Sequence, residues 1–143
     1  MPSYPPLNTQ VIGQAESALG ALLEPLLADA GITFQQWLVL TVTTASGGRA
    51  DRGQLAARIA GARKTDPAEV ESAIAELAAA GLATAAGPLA LTGSGQDAYQ
   101  RIRGAIEELN AELFAFPSED LATAGRVLSI VTERANAVLA RHA

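Results

Sequence analysis

The sequence predicts a mostly α fold: a winged helix-turn-helix with a small β-hairpin, flanked by N- and C-terminal dimerisation helices. Three observations carry this expectation. Apolar residues recur at helical spacing in six segments bounded by capping residues and glycines. Two short apolar runs, Leu82-Ala83-Thr84 and Leu89-Ala90-Leu91, flank a tight turn of Ala85-Ala86-Gly87-Pro88. The order is four helices, the hairpin, then two long helices. All 143 residues are read as a single domain, 1–143. Residues 33–95 form the winged module, and residues 8–30 and 96–141 the dimerisation helices. A chain of this length buries roughly 68–70% of its unfolded surface and needs no metal or disulfide to fold.

Each element has a local cause. Pro2, Pro5 and Pro6 hold the start of the chain as an extended arm. Residues 8–30 carry Val11, Ile12, Leu19, Leu22, Leu23, Leu26 and Leu27 at helical spacing, and Gly31 stops that helix. Thr33 and Gln36 form a capping box for a second helix, which Ser46-Gly47-Gly48 breaks. Asp51 caps a third helix, with Gln54 three residues on, and Gly61-Ala62-Arg63-Lys64-Thr65 reads as a turn after it. Asp66 caps the next helix, Pro67 sits in its first turn and Glu69 completes a second capping box. That helix points Val70, Ile74 and Leu77 one way and ends at Gly81.

Thr92 caps a long helix with a stripe of Tyr99, Ile102, Ile106, Leu109, Leu113 and Phe116, broken by Pro117. Ser118-Glu119-Asp120 opens the last helix with an acidic first turn. Its apolar residues, Leu121, Val127, Leu128, Ile130, Val131, Val138 and Leu139, cover more than the one stripe a single core contact requires. This surplus predicts a partner helix, and hence a homodimer.

Several motifs stand in a telling order. They are Thr33-x-x-Gln36-Trp37-x-Val39-Leu40, Gln54-Leu55-Ala56-x-Arg58-Ile59, Ala73-Ile74-x-x-Leu77-x-x-x-Gly81-Leu82 and Leu91-Thr92-x-x-Gly95. In this order the chain resembles MarR-type transcription regulators over nearly its whole length. The resemblance implies a homodimer with intertwined terminal helices and two winged modules set for successive major grooves of double-stranded DNA. It also implies a small hydrophobic or aromatic effector, bound between the dimerising helices and the winged module. Phe34, Trp37 and Tyr99 are the candidates for lining that effector pocket; ordinary core packing is the other reading of these aromatics.

Composition narrows the chemistry. There are no cysteines, and the single histidine, His142, lies next to the C-terminus, so no nucleophile–base pair or metal-ligand cluster is spelled out. Neither an enzyme nor a cofactor is expected. The uncharged stretch at residues 31–48 is interrupted by glutamines and threonines and is no membrane span. The first residues show neither a basic region nor an apolar core, so a cytoplasmic protein is expected.

Charge sets the expected DNA contacts. Ten Lys+Arg against fifteen Asp+Glu give a net charge of −5, a field that repels nucleic acid unless cations gather locally. Five of them do, as Arg49, Arg52, Arg58, Arg63 and Lys64. Arg49, Arg52, Arg63 and Lys64 are expected to hold phosphate, with Ser72 near base edges. The recognition helix itself opens acidic, as Asp66-Pro67-Ala68-Glu69-Val70-Glu71-Ser72, with Glu71 and Glu76 read as solvated. From residue 65 to 100 there is no Lys or Arg, where an even spread would place about 2.5. The hairpin tip has no side chain to insert into a minor groove. That deficit motivates the alternative expectation: a winged-helix dimer that does not bind DNA and serves as a protein- or small-molecule-binding module.

Overall fold

The computed structural model describes residues 3–143; Pro2 of the expected arm lies outside them. Six helices and three short strands follow one another as α1 (Thr9–Asp29), α2 (Phe34–Ala45), β1 (Arg49–Ala50), α3 (Arg52–Arg63), α4 (Pro67–Ala79), β2 (Ala83–Thr84), β3 (Leu89–Leu91), α5 (Gly93–Leu113) and α6 (Ser118–Arg141). The chain divides into two compact units, one running up to Ile106 and the other over Glu107–Ala143. The division falls inside α5, within the segment expected to dimerise.

The first unit holds the winged module. Its core joins Leu27 and Ile32 to Val39 and Leu40 of α2, Leu55 and Ile59 of α3, Val70, Ile74 and Leu77 of α4, Leu89 of β3, and Tyr99 and Ile102 of α5. Apart from Ile32, these are positions singled out in the sequence as helical stripes, motifs or hairpin strands.

Helix α2 tolerates a β-branched run because its hydroxyls are spent on its own backbone. Thr41, Thr43 and Thr44 donate to the carbonyls of Trp37, Val39 and Leu40 at 2.7–2.8 Å. Thr43 can therefore be completely buried without an orphaned polar group.

The caps form largely as expected. Asp51 accepts from Gln54 N at 2.9 Å, and Asn8, not singled out as a cap in the sequence, accepts from Val11 N at the same distance. Thr33 and Gln36 make both bonds of their capping box, at 3.1 Å each.

Four details correct the expectation. The cap of α4 is simpler than a box: Asp66 Oδ1 accepts from Ala68 N, and Glu69 N donates to the main-chain carbonyl of Asp66. Gly61, Ala62 and Arg63 belong to α3 rather than to a turn. The helix ends at Lys64, which adopts the left-handed conformation at φ 59°, and Thr65 N donates back to Ala60 O at 3.0 Å. The link between α3 and α4 is consequently short.

The expected hairpin also gains a third strand. Arg49 pairs with Ala90 and Ala50 with Leu89, while Ala83 and Thr84 pair with Leu91 and Ala90. All pairs are antiparallel, in the order β1-β3-β2. Lastly, Glu71 is not simply solvated, because Arg52 holds it.

The second unit is the end of α5 and all of α6. None of the 24 residues of α6 is buried, and Leu121, Leu128, Val131, Val138 and Leu139 are among its exposed large hydrophobics. In α1, Leu19 and Leu22 are exposed as well. Among the described residues, no single helix is long and apolar enough to cross a membrane.

Candidate nucleic-acid interface

Helices α3 and α4, with the short turn at Lys64 and Thr65 between them, form the helix-turn-helix. The hydrophobic effect sets their docking, since Leu55, Ala56, Ile59 and Ala60 of α3 and Val70, Ala73, Ile74 and Leu77 of α4 are all buried. Docking these stripes leaves Pro67, Ala68 and Glu69 of the first turn of α4, and Ser72 of its second, exposed.

The five clustered cations part company in the folded chain. Arg49 stands on edge strand β1 and Arg58 on α3, and both border one open cleft of about 300 Å³ with Val42, Gln54 and Leu55. Arg52, the first residue of α3, points its Nε at Glu71 Oε2 of α4, 2.5 Å away. Arg63 lays its guanidinium over the ring of Phe34, 4.8 Å from the centroid. Lys64 Nζ donates to Gly61 O at 3.0 Å, which anchors the side chain without neutralising it. Among the described residues the Arg52–Glu71 contact is the one ion pair within this cluster. Arg49, Arg58, Arg63 and Lys64 form no ion pair among the described residues.

Ser72 is exposed on α4. Its hydroxyl donates to Ala68 O at 3.1 Å, leaving the oxygen lone pairs free to accept from a base amino group.

The aromatic candidates separate. Trp37 and Tyr99 stack with centroids 5.2 Å apart and planes inclined by 19°, and Tyr99 is buried. Phe34, the first residue of α2, precedes the buried stripe, is 39% exposed and meets Arg63. It does not join the stacked pair.

Two placements escape a reading along the chain, although both residues stand out in it as part of the cation cluster and of the acidic helix start. Arg58 lies nine residues beyond Arg49 and reaches the same cleft only because β1 folds back beside α3. Glu71 is nineteen residues from Arg52, a spacing with no local meaning. The one available signal was the surplus of acids next to a cation cluster.

The wing is bare. Its tip at residues 85–88 carries no charge. Its base is locked: Thr92 Oγ1 donates to Gly81 O at 2.7 Å, and Thr92 N donates to Leu82 O at 3.1 Å. Gly95 N donates to Thr92 Oγ1 at 3.0 Å, as the expected cap of α5 requires.

No family model matches this sequence, and neither does any curated protein. Solved structures match it in fold. A MarR family protein of Mycobacterium tuberculosis in complex with DNA has 17% identity and a TM-score of 0.69, over 90% of this chain and 98% of that one. Ligand-free NadR has 26% identity and a TM-score of 0.70, over 90% and 99%. CouR from Rhodococcus jostii RHA1, bound to p-coumaroyl-CoA, has 14% identity and a TM-score of 0.71, over 85% and 88%. With its helix order, third strand and helix-turn-helix in place, the chain has a MarR-like winged-helix fold.

Proposed function

We propose that this protein is a homodimeric, ligand-responsive transcription regulator that grips double-stranded DNA chiefly through its phosphates. The observation that carries this reading is that exposed Arg49 and Arg58 border one cleft at α3 of a helix-turn-helix, with exposed Arg63 and Lys64 at the end of the same helix, none of them in an ion pair among the described residues. In a chain of net charge −5, a local positive cluster beside this element is where counterion release can offset the global repulsion. Ser72 sits near base edges. With no cation on α4 or the wing, direct base readout is sparse and sequence preference weak.

The dimer follows from exposed apolar residues on α1 and α6, which a second copy covers. An aromatic effector shares the surface of the stacked Trp37–Tyr99 pair and favours one spacing of the two recognition helices over another. Two solved structures of this fold support that class: NadR with 4-hydroxyphenylacetate, at 25% identity, and a regulator with 2,4-dichlorophenol, at 14%. The comparisons favour a regulator over a module that has lost DNA.

The test is retention of random-sequence duplex DNA across a salt series. The wild type binds at low salt, and Arg49→Ala with Arg58→Ala flattens the slope of log K against log salt by about two, close to 0.9 per phosphate contact. No retention at low salt overturns the reading.

A further inference from the structure

Arg52 and Glu71 form a solvent-exposed ion pair that joins the two helices of the helix-turn-helix. Arg52 is the first residue of α3, and its Nε meets Glu71 Oε2 from the second turn of α4. The side chains are 36% and 38% exposed, so the pair is open to solvent and within reach of an approaching polyanion. Surface pairs of this kind add little stability. A cation is also poorly placed at the start of a helix, where the backbone already presents positive charge. The end that carries Arg52 would otherwise suit a phosphate, with a guanidinium beside unpaired backbone N–H groups. Two carboxylates are there first: Asp51 accepts from Gln54 N, and Glu71 takes the guanidinium.

We propose that Glu71 is an affinity-setting residue: by occupying Arg52 it withholds one phosphate contact and keeps the DNA affinity of this protein low. The proposal rests on the reading of the chain as a DNA-binding regulator and adds to it the residue that sets the strength of the grip. A phosphate reaching for Arg52 meets Glu71 at the same moment, so attraction and repulsion nearly cancel and no counterion is released at that position. Arg49 and Arg58 share their cleft with Asp51, whose Oδ1 is taken by Gln54 N, and neither forms an ion pair with a carboxylate among the described residues. Glu76 is the natural control. It lies about 1.4 turns further along the same helix, is exposed and forms no ion pair.

The experiment measures binding of a labelled random-sequence duplex by fluorescence anisotropy over a salt series. It uses the full-length wild type, Glu71→Ala, Glu76→Ala, and Glu71→Ala combined with Arg52→Ala, with melting curves to verify that each is folded. Glu71→Ala binds about tenfold tighter than the wild type at low salt, the scale of one added charge-assisted contact. Its salt slope steepens by about 0.9. Glu76→Ala, which removes the same charge but frees no cation, gains about twofold at most and leaves the slope unchanged. Adding Arg52→Ala to Glu71→Ala cancels the gain.

Equal gains from Glu71→Ala and Glu76→Ala overturn the proposal, since general relief of repulsion would then explain both. Weaker binding by Glu71→Ala overturns it too, because Glu71 would then hold Arg52 in place for the phosphate. In both cases the wild type still binds, and the regulator reading stands. If no folded variant retains duplex at low salt, that reading falls as well.

Discussion

Helices α4 and α6 carry the same kind of signal and meet opposite fates. Each repeats apolar residues at helical spacing, and each begins with acids in its first turn. In α4 the stripe of Val70, Ala73, Ile74 and Leu77 is at most 2% exposed, packed against α2 and α3. In α6, longer by eleven residues, no side chain is buried and Leu128 remains 40% exposed. A periodic stripe therefore states that a helix has a partner, not where the partner is. For α4 the partner is the chain's own core. For α6 we assign it to a second copy.

The comparison breaks most visibly at Leu77. It is fully buried, and Leu82 N donates to its carbonyl at 3.0 Å as α4 ends. Leu77→Ala removes three carbons from a packed core and costs about 2–5 kcal/mol, read as a lowered denaturant midpoint. A loss below about 1 kcal/mol would mean that α4 is no better packed than α6, and the contrast would vanish.

Gly95 comes next, because it fixes how the chain leaves α4 and enters α5. A Cβ built there would stand 1.9 Å from Leu82 O and 2.9 Å from Leu82 C, a collision with backbone that no rotamer relieves. Gly95→Ala must push the start of α5 off the turn at Leu82 and loosen the bonds from Thr92 to Gly81 and Leu82. The expected cost is about 3 kcal/mol, at the upper end for overpacking. Unchanged stability would show that the base of the wing is free to part from α5.

The same contrast explains what was legible in the sequence. Caps and stripes are local, so Thr33, Asp51 and Asp66 marked helix starts, and the glycines at 31 and 81, both with positive φ, marked ends. Gly61 misled because a helical glycine costs only about 1 kcal/mol relative to alanine, which burial of Ile59 and Ala60 readily offsets. The true end, at Lys64, rests on a left-handed conformation that nothing in a lysine side chain announces. Strand β1 is two residues long, too short for any alternation to show, and exists because β3 offers an edge. Phe34 was grouped with Trp37 by residue type, yet its position at the first turn of α2 turns it to Arg63. The phosphate candidates were legible as a cluster. Which of them are free was not, because the Arg52–Glu71 pair depends on how two helices dock.

The smallest effect is the sharpest probe of α6. Leu128 is already partly exposed in the single chain, so Leu128→Ala forfeits little buried area there and costs about 1 kcal/mol or less in dilute protein. A second copy that covers α6 binds only the folded state and stabilises it by mass action, so the wild-type melting temperature climbs with protein concentration. Leu128→Ala weakens that cover, and the gap between variant and wild type widens as concentration rises. Melting curves over a hundredfold range of concentration, run beside a size measurement, check this. Two parallel lines would mean that water is the permanent partner of this helix, and the assignment of α6 to a second copy would fail while the fold of the winged module stood.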